Sequence, residues 1–239
     1  MRVVLHVANR KIVFRDASGH ITIDNGEFEE GKHPRATNGE FGSGGGVKKS
    51  REHKDLTGSK NIKKKFDDLS YKSRSGSWPK DTTLAVKSYV AESDITSGTK
   101  PAYGDINTAL RTGDLSNPVI AKAVKDVDIA CQGTMPEDLI LHRVVTAGAG
   151  VDIIKGLKVG DTYSDPAFTS TSLDKNSSEM ASGFAESRIE IKASKGSKAG
   201  FVPLLMGDPD TPEYEVLLPR NAKMTVTSIE NSVVKMEYQ

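Results

Sequence analysis

Apolar and polar residues keep different rhythms in different parts of the chain. The first stretch has short β-rich runs, Val3-Val4-Leu5-His6-Val7, Lys11-Ile12-Val13-Phe14 and His20-Ile21-Thr22-Ile23, with Asp16-Ala17-Ser18-Gly19 as a turn. They predict a small hairpin or meander, which buries too little to hold itself without packing on something else. After Gly26 the sequence turns Gly-rich and then Lys-rich, and little fixed structure is expected until about Asp81. From there the period becomes helical. Leu84, Val86, Tyr89 and Val90 share an apolar stripe, and Asp81, Thr82 and Thr83 offer N-caps, so a helix is predicted over 82–92. Ile106, Asn107 and Leu110 predict a second helix stopped near Gly113, and 119–127 a third. Beyond Asp138 the period shortens to that of strands, predicted over 139–145, 165–171, 188–193, 199–204, 214–218 and 224–229, with a helix over 177–186 between them. Helices first and strands later predict an α+β domain with antiparallel sheets.

Composition bounds this picture. A chain of 239 residues, 36% of them hydrophobic, has material for a packed domain and an appendage. Three parts are predicted: a small β-rich segment over 1–30, a flexible Gly/Lys-rich linker over 31–80 and a folded domain over 81–239. The net charge of +1 conceals an asymmetry: residues 1–47 are neutral, residues 48–80 carry +7 and residues 81–239 carry −6. The basic segment adjoins Gly42-Ser43-Gly44-Gly45-Gly46 and reads as a solvated linker, with nucleic acid or an acidic partner as the alternative. No aromatic interleaving supports specific nucleic-acid binding. These glycines do not match a dinucleotide fingerprint, since no confident strand precedes them and no helix follows directly. No apolar run approaches the roughly 18 residues needed to span a membrane, and the opening Met1-Arg2-Val3-Val4-Leu5-His6 turns polar too soon for a signal peptide. Cys131, the single cysteine, has no disulfide partner and no metal-ligand spacing around it, which suits a reducing compartment and a small buried residue.

Three pieces carry candidate chemistry: Leu141-His142-Arg143, Phe168-Thr169-Ser170-Thr171-Ser172, and Glu213-Tyr214-Glu215-Val216-Leu217-Leu218-Pro219-Arg220. An arginine in an otherwise apolar strand needs an anionic partner, either a ligand diphosphate or an ordinary salt bridge. Serine and threonine alternating on a strand are at home on a surface. Two carboxylates at i and i+2 of a strand share a face and repel, unless a cationic substrate, a hydrogen bond or solvent at an exposed edge relieves them.

Taken in order, these pieces resemble the arginine, Ser-Thr-Ser and Glu-x-Glu signature of the ADP-ribosyltransferase exoenzyme family, over residues 81–239. Ile106-Asn107-Thr108-Ala109-Leu110-Arg111 resembles that family's helix with a diphosphate-contacting arginine. Lys195-Gly196-Ser197-Lys198-Ala199-Gly200-Phe201 and Leu217-Leu218-Pro219-Arg220 are similar to clostridial Rho-modifying exoenzymes. The resemblance implies two packed, mainly antiparallel β-sheets with flanking N-terminal helices, and NAD as co-substrate. It implies that Glu215 is the catalytic carboxylate, stabilising an oxocarbenium-like ribose and holding a ribose hydroxyl. Ser170 would orient Glu215, and Arg143 would bind the NAD diphosphate with Arg111 as a second cation. Thr171 and Ser172 would support the strand. Glu213 stands where arginine-specific members have Glu and asparagine-modifying members have Gln. A second carboxylate suits a guanidinium, so the implied reaction is transfer of ADP-ribose to an arginine on a protein.

Departures from the family pattern mark where the resemblance thins. Val144 follows Arg143 where relatives often have Gly, which alters the backbone facing nicotinamide. Phe184 and Arg188 are candidates for a stacking ring and a further phosphate contact, at a slightly longer spacing than in the Rho-modifying relatives; a core phenylalanine and a surface arginine answer to the same positions. The loop over 206–212 is longer than theirs and lacks their aromatic, so target choice does not transfer. His33-Pro34-Arg35-Ala36-Thr37-Asn38-Gly39-Glu40-Phe41 is similar to a short segment of phage head and virion-associated proteins. That similarity implies an enzyme carried in a virion into a bacterial cytoplasm and acting on a host protein, against an ordinary linker as the alternative. The competing functions are an NAD glycohydrolase and a non-catalytic virion protein with a transferase fold.

Overall fold

A computed structural model of the chain describes residues 4–8, 11–16, 19–24, 52–73, 78–90, 101–145, 149–182, 187–203 and 212–239. Phe184, the phage-like segment 33–41, the glycine run 42–46 and most of the loop 206–212 lie outside the described residues. The expected N-terminal meander is present as β1 (Val4–Ala8), β2 (Lys11–Asp16) and β3 (Gly19–Asp24), a separate antiparallel sheet in that order.

Within the stretch expected to lack fixed structure, Ile62–Lys72 forms helix α1. Its charged outward face conceals an amphipathic spacing, with Phe66, Leu69 and Ser70 buried at i, i+3 and i+4. The Phe66 ring meets that of Phe201 at 5.7 Å, which ties α1 to the main core. The three predicted helices follow as α2 (Lys80–Val90), α3 (Tyr103–Thr112) and α4 (Pro118–Ala130). Because α2 starts at Lys80, Asp81 lies in its first turn, where a carboxylate complements the helix dipole instead of capping it. Gly113, at φ 74°, ends α3 in the left-handed conformation that glycine adopts without a Cβ clash. Asn117 caps α4 by accepting the Val119 N–H at 2.9 Å, with Pro118 in the first turn.

Eight further strands build the main sheet: β4 (Leu139–Val145), β5 (Thr162–Ser164), β6 (Thr169–Ser172), β7 (Ser187–Ala193), β8 (Gly200–Phe201), β9 (Glu215–Leu218), β10 (Lys223–Glu230) and β11 (Val233–Tyr238). Helices α5 (Ala149–Gly156) and α6 (Lys175–Ser182) interrupt them. The sheet order is β5-β10-β11-β7-β4-β6-β9-β8, antiparallel except for the β7–β11 pair. The α+β class and the antiparallel pairing are as expected, but the two sheets implied by the resemblance run into one another. They join at a single register pair, His142 opposite Ser172.

Two cores flank this arrangement. One gathers Leu139, Leu141 and Ile191 with Val216, Leu218 and Phe66; the other gathers Val86, Ile106 and Val127 of the helices with Phe168 and Leu217. Since successive strand residues face opposite ways, β9 is buried on both sides. The strand predicted over 165–171 begins only at Thr169, because the Asp165 carboxylate accepts the Ala167 N–H at 2.9 Å and holds the chain in a turn. Helix α5 and strand β11 were not predicted.

Close packing of α4 on β8 makes one position sensitive. A Cβ on Gly200 would sit 2.7 Å from the Ala130 carbonyl oxygen, a backbone atom that cannot swing aside. Gly200→Ala is expected to lower stability by about 1–3 kcal/mol, read as a fall in Tm.

Candidate functional site

Strands β6 and β9 pair Ser172 with Glu215 and Ser170 with Leu217, so Ser170, Ser172 and Glu215 share one face. Ser170 Oγ donates to Glu215 Oε1 at 2.6 Å. Glu215 opens β9 and is only 8% exposed. Burial pushes its carboxyl up to about 7 against the Ser170 hydrogen bond; the nearby Glu213 adds to the rise and Arg143 opposes it. Arg143 reaches from β4 to β6, where its Nη1 donates to the Ser170 carbonyl at 2.7 Å. Its Nε is buried and has no partner among the described residues. That orphaned donor distinguishes Arg143 from an arginine satisfied by a salt bridge.

Glu213 departs from its expected geometry. The strand starts at Glu215, and Tyr214 before it has φ 49°, so the chain turns instead of presenting Glu213 and Glu215 from one strand face. Glu213 is thereby exposed while Glu215 is buried, yet the two remain close enough for Glu213 to influence Glu215. The Glu213 carbonyl accepts from Ser172 Oγ at 2.5 Å, and the Tyr214 carbonyl accepts from the Leu173 N–H at 3.2 Å. Thr171 Oγ1 donates to the Val216 carbonyl at 2.5 Å, so Thr171 and Ser172 hold the strand pair together as expected.

Arg111 is engaged by protein. Its Nε and Nη2 donate to the two oxygens of buried Asp165 at 3.1 and 2.7 Å, which fastens α3 to the turn before β6. The guanidinium has five donors, so this pair leaves others available. Arg111 and Arg143 both act on Tyr163, whose hydroxyl is pushed up to about 12 by burial first and by Asp165 second, with the two arginines opposing. Both cations therefore border one region. Val144 and Arg188 are register partners on β4 and β7, on the strand face opposite to Arg143. All three nevertheless line one cleft, with Lys175 and Ser178.

Two neighbours of the site were read from the sequence as helix residues only. Asn107 Nδ2 donates to Tyr89 Oη at 3.1 Å, joining α3 to α2, and the Tyr89 ring meets Phe168 edge-on at 5.9 Å. Burial raises the Tyr89 hydroxyl far above its ordinary range, with the charge of Glu215 adding to the rise and the Asn107 hydrogen bond and Arg143 opposing it. A buried tyrosine and asparagine 18 residues apart give no local spacing signal.

The family model described as ADP-ribosyltransferase exoenzyme matches residues 58–239. The chain belongs to that family. The match begins ahead of α1 and takes in every strand of the main sheet. Among solved structures, the C3 exoenzyme of Clostridium limosum is 20% identical, with a TM-score of 0.61, covering 79% of this chain and 98% of that one. C3stau2 from S. aureus, solved with NAD, is 16% identical at a TM-score of 0.59, covering 79% of this chain and 99% of that one. Plx2a, an ADP-ribosyltransferase toxin from Paenibacillus larvae, is 20% identical at 0.58, covering 74% and 94%. At these identities the likeness is one of fold. Among curated protein sequences there is no significant match. NAD is the co-substrate of ADP-ribosyltransferases such as this exoenzyme. No helix among the described residues is long and apolar enough to cross a membrane.

Proposed function

We propose that this exoenzyme transfers ADP-ribose from NAD to the guanidinium of arginine side chains on a protein. The observation that carries the reading is the pair of carboxylates at two depths, Glu215 buried on Ser170 and Glu213 exposed beside it. Ionised Glu215 stabilises the positive charge that develops on the ribose as the nicotinamide bond breaks. Ser170 fixes the carboxylate's orientation. The Arg143 Nε–H, without a partner among the described residues, fits an anionic group such as a diphosphate together with the Nη groups beside it, and the remaining donors of Arg111 serve the same charge. Val144 and Arg188 border that path, and Phe184 keeps the stacking role that the sequence resemblance implies. Glu213 receives the arginine, accepts paired hydrogen bonds from its planar fork and takes a proton as the nitrogen attacks. The acceptor's bacterial origin and a virion route rest on residues 33–41 alone.

Incubation with NAD and agmatine, followed by mass spectrometry, is expected to yield an ADP-ribosyl adduct, and labelled NAD in a bacterial lysate is expected to mark protein arginines. Free ADP-ribose without any adduct would point to a glycohydrolase, and the absence of NAD turnover would leave a non-catalytic role. Because the active form of Glu215 is ionised, kcat/KM for NAD is expected to rise with pH through about 7. Ser170→Ala removes a bond that favours the ionised form, so the rise moves to higher pH and the rate near neutrality falls by about tenfold. A pH–rate profile of the two proteins reads this directly.

A further inference from the structure

Tyr214 separates the two carboxylates, and its conformation is the least ordinary feature of the site. A bulky aromatic at φ 49° occupies a region that non-glycine residues seldom adopt, and such a conformation persists only where the surroundings impose it. Three contacts do so. The Ser172 hydroxyl holds the Glu213 carbonyl, the Leu173 N–H holds the Tyr214 carbonyl, and the Tyr214 ring packs on Phe66 with centroids 5.9 Å apart and planes at 60°. Phe66 is 1% exposed and fixed in turn by Phe201. The ring therefore hangs from α1, an element far earlier in the chain, while its backbone decides where Glu213 leaves the strand.

We infer that Tyr214 and Phe66 are positioning residues that set Glu213 at the acceptor's distance from Glu215, and so govern how the reaction divides between transfer to arginine and hydrolysis. The inference rests on the proposed arginine-transfer reading. A left-handed residue between the carboxylates lets one be buried and the other exposed within a single turn, which an extended strand would not allow. The ring on Phe66 keeps that turn from relaxing to an extended backbone. Neither aromatic needs to touch NAD or acceptor for this, and Glu215 keeps its own anchor on Ser170.

Tyr214→Asn tests the idea, because asparagine tolerates the left-handed conformation but lacks the ring. With NAD and agmatine as substrates, adduct formation is expected to fall by about tenfold relative to NAD hydrolysis, with KM for NAD nearly unchanged. Tyr214→Phe keeps the ring and is expected to retain the wild-type ratio. Phe66→Leu, which loosens the same contact from the other side, is expected to lower the ratio as Tyr214→Asn does. Equal losses of transfer and hydrolysis in the Asn and Leu variants, or an unchanged ratio in both, would overturn the inference. Should the wild-type protein form no adduct with agmatine, the arginine reading itself fails; an adduct whose ratio ignores both aromatics sinks only the positioning role.

Discussion

Glu215→Gln is expected to abolish most NAD turnover while making the folded protein more stable above neutral pH. The activity loss follows from removing the charge that opposes the developing cation, an effect on the order of 10²–10³-fold for a preorganised electrostatic partner. Nicotinamide release measured by chromatography reads it. The stability gain follows from the carboxyl's raised value, about 7 against an ordinary 4.5. Below 4.5 the group is protonated in folded and unfolded chains alike and makes no difference. Between 4.5 and 7 the folded state holds a proton that the unfolded state has released, so stability falls as pH rises, and above 7 the full cost of burying the anion remains. That cost is about 3 kcal/mol from the separation of the two values. The neutral amide escapes it, so thermal unfolding should show the variant and wild type alike near pH 4 and the variant higher near pH 8. A variant less stable than wild type at pH 8 would mean that Glu215 is not a strained buried anion.

Glu213→Gln should separate the two outcomes of NAD cleavage. Glutamine keeps the size and one acceptor oxygen but cannot offer two equivalent acceptors to a guanidinium or take its proton. Transfer to agmatine is expected to fall by about 10²-fold or more, within the range of a lost general base. Hydrolysis should survive, since water needs no guanidinium site and Glu215 and Ser170 are untouched. Removing the exposed charge also relieves a like-charge repulsion that raises Glu215, so the pH dependence of residual hydrolysis should move to lower pH. Product analysis across a pH series measures both effects at once. Loss of hydrolysis equal to the loss of transfer would place Glu213 in the ribose chemistry instead of at the acceptor.

Elements whose burial pattern is local were legible in the sequence. The strand at 139–145 matches its predicted span, and the helix ending near Gly113 carries its own stop signal. Helix α1 was not legible because its lysines dominate the composition, and its value lies in three inward positions that only a partner surface explains. The alternating burial of β11 is regular, but the strand lies between its hairpin partner β10 and a parallel neighbour, β7, more than thirty residues away, and only the fold supplies the second. Arg143, Ser170 and Glu215 were named as a unit from motif order, and the fold brings them within hydrogen-bonding reach of one another through Ser170. Arg111 was read as a ligand cation, and the fold also ties it to Asp165, a partner from a distant turn that no adjacent residue announces.

Residue types, their order and the local rhythm therefore determined the α+β class and the family and singled out Glu215 as the candidate carboxylate, because each depends on neighbours in sequence or on chemistry that a side chain carries with it. Tertiary structure alone decided that Glu215 is buried and raised while Glu213 is exposed, that Arg143 keeps a donor with no partner among the described residues, and that Tyr214 turns the chain between the two carboxylates. Those properties arise from desolvation and from contacts between strands and helices far apart in sequence, which no reading of adjacent residues contains.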